Sequence, residues 1–266
     1  MAFKNSNIQG KMRISVNRNK HSAMLFVVFV GVVSLFADMT YEGARSITGQ
    51  FLAVLGANAT VVGFVAGFGE LVGYALRLVS GLIADRTGKY WTITIIGYLV
   101  NLTAVPLLAL AGRWEIAAFL MIAERMGKGI RNPVRDAMLS HATSEIGRGW
   151  GFGLHEALDS TGAMLGPLIV AAALYFKGTY QTGFAFLLIP AALAIGVLIT
   201  ARMLYPHPKD LEATLPERSL STYSSVLRRF LFRSSFNSII RISSKNRFLP
   251  ADSKRLLRFA QSPYIP

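Results

Sequence analysis

Cysteine is absent from the 266 residues, and acidic residues are scarce, 14 Asp and Glu against 28 Lys and Arg. Without Cys there is neither a disulfide framework nor a thiolate-ligated metal site. Charged residues of both signs make up only 16% of the chain, where soluble domains usually carry about a quarter. The 52% hydrophobic content also excludes a disordered chain. No G-x-S-x-G elbow, P-loop or dinucleotide fingerprint occurs, and His155-Glu156-Ala157-Leu158-Asp159 lacks the second His of a zinc-binding H-E-x-x-H helix. Neither enzyme chemistry nor a cofactor or metal is therefore expected. Glycine, 24 residues in all, stops at Gly196, and the last stretch is rich in Ser and Arg instead.

What is present is apolar and basic. The net charge of +14 would suit a nucleic-acid binder, but its distribution argues against that partner. Lys4, Lys11, Arg13, Arg18 and Lys20 precede any acidic residue, and residues 207–266 hold eleven basic against four acidic side chains. Basic ends around a nearly neutral apolar body fit segments held beside an anionic membrane surface, which predicts a cell-membrane protein with both ends cytoplasmic. The early apolar run has no small-x-small site at its end, so it is expected to be an uncleaved membrane helix rather than a signal peptide.

Crossing roughly 30 Å of hydrocarbon takes about 20 mostly apolar residues. Six segments qualify, at about 23–55, 60–83, 90–110, 114–139, 151–176 and 181–203. The predicted organisation is a basic cytoplasmic terminus over 1–21, a six-helix all-α bundle over 22–206, and a disordered or interfacial tail over 207–266. In that tail Val226, Leu227, Phe230 and Leu231 share one helical face. Gly63 and Gly67, Gly69 and Gly73, and Gly162 and Gly166 are small-xxx-small pairs suited to close helix packing. Gly147, Gly149, Gly151 and Gly153 predict a flexible entry to the fifth span.

Between the second and third spans stands Gly81-Leu82-Ile83-Ala84-Asp85-Arg86-Thr87-Gly88-Lys89. It resembles the G-x-x-x-D-R-x-G-[RK] loop of the major facilitator superfamily of secondary transporters. Glu124-Arg125-Met126-Gly127-Lys128-Gly129-Ile130-Arg131 and the following Arg135-Asp136-Ala137 are similar to the Arg-containing fourth-helix motif of a prokaryotic branch of that family. Gly162-x-x-x-Gly166-Pro167 partly matches its fifth-helix motif. The resemblance covers about residues 22–206. It implies one half of a twelve-helix fold, rocking alternating access, and a gate made by Gly81, Asp85, Arg86, Gly88 and Lys89. The family's second six-helix half is not in this sequence. A truncated or frameshifted product, a dimerising half, or a partner half on another chain would each account for that, as would a scaffold subunit that does not transport.

Charges inside membrane spans are costly, about 2.5–3.5 kcal/mol each on insertion scales, so they are expected to meet partners or an aqueous path. Asp38 and Glu42 in the first span, Glu70 and Arg77 in the second, Glu124, Arg125 and Arg131 in the fourth, and His155, Glu156 and Asp159 in the fifth are the candidates for a substrate or proton path. Glu70 and Arg77 lie two turns apart on one helix face. His155 and Asp159 are neighbours at i, i+4 with Glu156 close by, an arrangement in which one carboxyl can carry a coupling proton. The alternative is a structural ion pair from this helix to Arg125 or Arg131. The expected partners are the bilayer, a small solute, and a coupling proton or other ion.

Overall fold

A computed structural model describes residues 2–207, with side chains described over 20–207 apart from 145 and 177. The helical face expected at 226–231 lies outside the described residues. The elements run α1 (Ala2–Val54), α2 (Ala59–Thr87), α3 (Tyr90–Leu107), a 3-10 turn (Leu108–Leu110), α4 (Trp114–Ile146), α5 (Arg148–Lys177), α6 (Tyr180–Phe186) and α7 (Leu188–Leu204). No strand occurs among the described residues.

Five segments are long and apolar enough to cross a membrane: Lys20–Val54, Ala59–Thr87, Tyr90–Leu110, Arg148–Phe176 and Tyr180–Leu204. The exception among the expected spans is α4. Its 33 residues are long enough, but its charges remove the apolar window. Several boundaries differ from the sequence expectation. The first helix reaches back to Ala2, and α2 runs through Asp85, Arg86 and Thr87, so only Gly88 and Lys89 connect it to α3. Gly88 ends α2 in the left-handed region, φ +68°, with its N–H on the Ala84 carbonyl, a conformation that only glycine adopts without cost. The glycine-rich entry to α5 is not a loop: only Gly147 stands outside a helix, while Gly149, Gly151 and Gly153 are helical. The last span breaks at Leu187. Pro190, third in α7, has no N–H for the Phe186 carbonyl and its ring crowds that group, which interrupts the ladder there.

Glycines set how closely the helices approach. A Cβ at Gly162 or Gly166 of α5 would run into the backbone carbonyls of Leu35 and Met39 on α1. A Cβ at Gly129 would meet the Gly73 backbone on α2, and one at Gly127 the backbone of Asn101 on α3. Gly63 and Gly67, the remaining small-xxx-small pair, face open space within this chain.

Around those seats the buried apolar side chains form two separate cores. One holds Phe26, Val30, Ala37, Tyr98, Val134, Met138 and Leu198. At its end Trp91 Nε1 donates to the Tyr205 carbonyl at 2.8 Å, and Phe26 meets both rings edge-on. The other core holds Ala44, Phe51, Val105, Met121, Val170 and Phe184. Along α1 the gap between them runs from Ala37 to Ala44, and along α4 from Met121 to Val134. Polar side chains fill that gap.

Candidate functional site

The polar layer is built from helical periodicity. On α4, Glu124, Lys128, Arg131 and Arg135 recur at steps of four, three and four, which puts all of them on one face. That spacing normally carries apolar residues into a core. Gly127 and Gly129 flank Lys128, and their close seats on α3 and α2 turn the charged stripe toward α1. Facing it, α1 presents Ser34, Asp38 and Tyr41 at the same four-and-three spacing.

Asp38 is the hub. It is 5% exposed, accepts from Arg131 Nη2 at 3.1 Å through Oδ1, and lies 3.5 Å from Lys128 Nζ through Oδ2. Lys128 also reaches Glu42 at 3.7 Å and lies over the Tyr41 ring, 3.4 Å from its centroid. Glu42 is in turn 3.7 Å from the exposed Arg45. Arg131 is completely buried and stacks its guanidinium over Tyr98 at 4.4 Å. Its Nε and Nη1 find no hydrogen-bond partner among the described residues.

One turn further along α4, Arg135 donates from Nη1 to Ser34 Oγ at 3.0 Å and from Nε to Asp136 at 3.0 Å. Ser34 Oγ also lies 2.8 Å from His155 Nε2. Asp159, one turn after His155, sits 3.9 Å from Arg135 Nη1. The cation beside the fifth-span carboxylate is thus Arg135, where sequence reasoning weighed Arg125 and Arg131. His155 bonds across to α1 rather than to its i+4 neighbour, and Glu156 is exposed with no ion pair among the described residues. The reason is rotation: the seats of Gly162 and Gly166 on α1 aim His155 and Asp159 inward and Glu156 outward.

Glu124 is buried, 7% exposed, and takes a hydrogen bond at 3.0 Å from Asn101 Nδ2, which also donates to the Glu124 carbonyl. Arg125 lies beside that stripe, facing α2. Its Nη1 donates to the Ala66 carbonyl at 2.5 Å and stands 3.3 Å from Glu70. Both line a cavity of about 430 Å³ with Arg45, Thr48, Val65 and Met121, between α1, α2 and α4. Glu70 is therefore committed across helices, and Arg77, on its own face, packs over the Tyr74 ring at 4.9 Å.

The loop candidates lie apart from this layer. Asp85, Arg86, Gly88 and Lys89 are exposed, and Gly81 is half-buried against Pro133. Tyr90 hydroxyl reaches Asp85 at 3.5 Å. Because Asp85 belongs to the last turn of α2, it sits at the negative end of its own helix dipole, where a carboxylate is disfavoured.

Sequence reasoning missed Ser34, Asn101, Tyr41 and Tyr98 as parts of the layer, and left Lys128 and Arg135 outside the path. The four-three-four stripe on α4 was the available signal for the last two.

Apolar helices closing over a shared layer of buried charge and an adjoining cavity define a multi-pass integral membrane protein. The chain belongs to the Major Facilitator Superfamily, whose profile matches residues 22–251, past the point at 206 where the motif resemblance ends. That family is one of transporters, not enzymes. An uncharacterised protein of Mycobacterium tuberculosis (strain ATCC 25618 / H37Rv) is 49% identical over 201 residues, 75% of this chain and 49% of the relative. An uncharacterised MFS-type transporter of Methanocaldococcus jannaschii is 31% identical over 69% of this chain and 45% of its own length. The multidrug resistance protein MdtH of Proteus mirabilis is 34% identical over 45% of this chain and 30% of its own. Among solved structures, a peptide transporter POT in complex with alafosfalin shares the fold with a TM-score of 0.60 at 17% identity, over 79% of this chain and 45% of that one. The chain spans about half the length of the curated relatives with which it aligns most extensively.

Proposed function

We propose that this chain moves a small solute across the cell membrane by alternating access coupled to an ion or solute gradient. In this reading α4 is a sixth crossing, because its charged stripe faces α1 and not lipid. The observation that carries it is the layer of buried charge between two apolar cores, adjoining the cavity walled by Arg125 and Glu70. The relatives in the family, an MFS-type transporter and a multidrug resistance protein among them, support solute transport as the activity.

Gly81, Asp85, Arg86, Gly88 and Lys89 act as the gate. Asp85 is disfavoured where it stands and, among the described residues, is reached by the Tyr90 hydroxyl at 3.5 Å, so a helix N-terminus brought to it from a second half would be a better partner. That second half is a further six-helix bundle like this one. Its docking is supported by the exposure of α2, the least buried of the apolar spans, and by relatives about twice as long. Both ends of the bundle lie in the cytoplasm.

The test is flux of a panel of peptides, sugars, organic anions and lipophilic cations into vesicles from cells producing the full chain, under imposed ion gradients. One solute class is expected to move with the gradient, at least tenfold more slowly after Asp85→Ala or Arg125→Ala. Unchanged flux in both variants would overturn the residue roles. Flux of nothing under any gradient would leave a scaffold subunit as the better account.

A further inference from the structure

A charge in a membrane span is costly unless it meets a partner or water, and between α1 and α4 the charges are met in series. Arg131 lies 3.1 Å from Asp38, Asp38 3.5 Å from Lys128, Lys128 3.7 Å from Glu42, and Glu42 3.7 Å from Arg45. Three cations alternate with two carboxylates, so the series ends on a cation each way. At one end Arg131 is completely buried. At the other, Arg45 has 54% of its side chain exposed and stands on the wall of the cavity between α1, α2 and α4.

The other charges on that wall offset each other. Arg125 and Glu70 are 3.3 Å apart, and Arg125 also donates to the Ala66 carbonyl. Arg45 makes no hydrogen bond among the described residues; its one ion pair there is the 3.7 Å contact to Glu42, a carboxylate that it shares with Lys128. A guanidinium has five N–H donors and keeps its charge, so most of its binding capacity is open to the cavity. Much of the remaining wall is apolar, with Leu52, Val62, Val65 and Met121. The volume of about 430 Å³ lies in the range of pockets that hold a small organic molecule.

We propose that this cavity takes an amphiphilic organic anion, its carboxylate on Arg45 and its apolar body against Leu52, Val62, Val65 and Met121, and that this is the class of solute the chain transports. The second clause rests on the transport reading; the first stands on the cavity. A planar guanidinium holds a carboxylate through two parallel hydrogen bonds, which the 3.7 Å contact to Glu42 does not supply. Glu42 is not stranded when it gives way, because Lys128 stays beside it. The solute thereby takes the place of Glu42 at the end of the series, and the series ties the cavity to the buried layer through Lys128 and Asp38. A cationic solute would meet Arg45 and find Glu70 already held by Arg125, and a neutral one would gain apolar contact alone.

Binding is measured by equilibrium dialysis of the purified full chain in detergent. The probes are radiolabelled phenylalkyl carboxylates from phenylacetate to phenylvalerate, each matched by its amide and by an amine of the same length. At least one carboxylate is expected to bind saturably, at least tenfold more tightly than its amide or amine. Arg45→Gln should weaken that binding at least tenfold, through loss of charge-assisted hydrogen bonds. Glu42→Gln should strengthen it several-fold, because it removes the internal carboxylate that competes for Arg45. A monodisperse size-exclusion profile checks the fold of each variant, and either variant alone decides the matter if the other does not fold. No saturable carboxylate binding, equal binding of the amide or amine, affinity unmoved by Arg45→Gln, or affinity not raised by Glu42→Gln would overturn the site. Flux into vesicles separates this from the transport reading. A carboxylate that binds while no solute moves under any gradient sustains the site and overturns transport; gradient-driven flux of a neutral or cationic solute without flux of any carboxylate overturns the anion class and leaves transport standing.

Discussion

Arg131 has no exposed surface, and its charge is met by Asp38 and the face of Tyr98. Removing one member of a buried ion pair is far more costly than removing both, because the survivor stays charged in a poor solvent. Asp38→Asn is therefore expected to destabilise the detergent-solubilised protein by about 3–5 kcal/mol, read as a drop in melting temperature. Arg131→Met should cost less, since Lys128 remains on Asp38 at 3.5 Å. The double variant should be more stable than the sum of the two single losses predicts; strict additivity would mean that the two side chains do not depend on each other. That these residues would be buried was legible in the sequence, from charges standing inside apolar runs. Their partners were not. Spacing along one helix reports neighbours on that helix, whereas Arg135 meets Asp159 and Glu70 meets Arg125 across helices.

At the scale of elements, what sets those cross-helix pairs is where backbones touch. Gly162 and Gly166 let α5 sit directly on the carbonyls of Leu35 and Met39, and Gly127 and Gly129 do the same for α4 against α3 and α2. Gly162→Val or Gly166→Val is expected to exceed the about 1–3 kcal/mol of ordinary overpacking, because the clash is with main chain that cannot rotate away. The readout is loss of a monodisperse peak in size-exclusion chromatography. Gly67→Ala is the control: a Cβ there meets nothing within 4 Å, so that peak should be retained. All three glycine pairs looked alike in sequence, and only the packing separates the two that are filled from the one that is open. Helix ends were partly legible. Gly88 marked the end of α2, yet the polar run 85–87 was expected to be loop and instead completes the last turn, since those residues lose nothing by staying helical at a water-facing end.

For the whole molecule, the cytoplasmic placement proposed above rests on the bias of Lys and Arg toward the side that bears Arg86, Lys89 and Arg148. The absence of cysteine makes a direct check simple. Thr87 and Arg113 are exposed and lie at opposite ends of α3. A membrane-impermeant maleimide applied to intact cells should label Arg113→Cys, and should label Thr87→Cys only after permeabilisation. The reverse pattern would invert the orientation, and labelling of both from one side would remove α3 as a crossing. Sequence by itself determined that the protein lives in a membrane, is helical over the described residues, and belongs to a transporter family, because hydropathy, length and family likeness are properties of consecutive residues. The tertiary structure alone decided that one polar layer divides two apolar cores and that Arg131 meets Asp38 while Arg135 meets Asp159. Periodicity tells which residues share a helix face, but the face acquires a partner only when backbone contacts at a few glycines set each helix's rotation and distance.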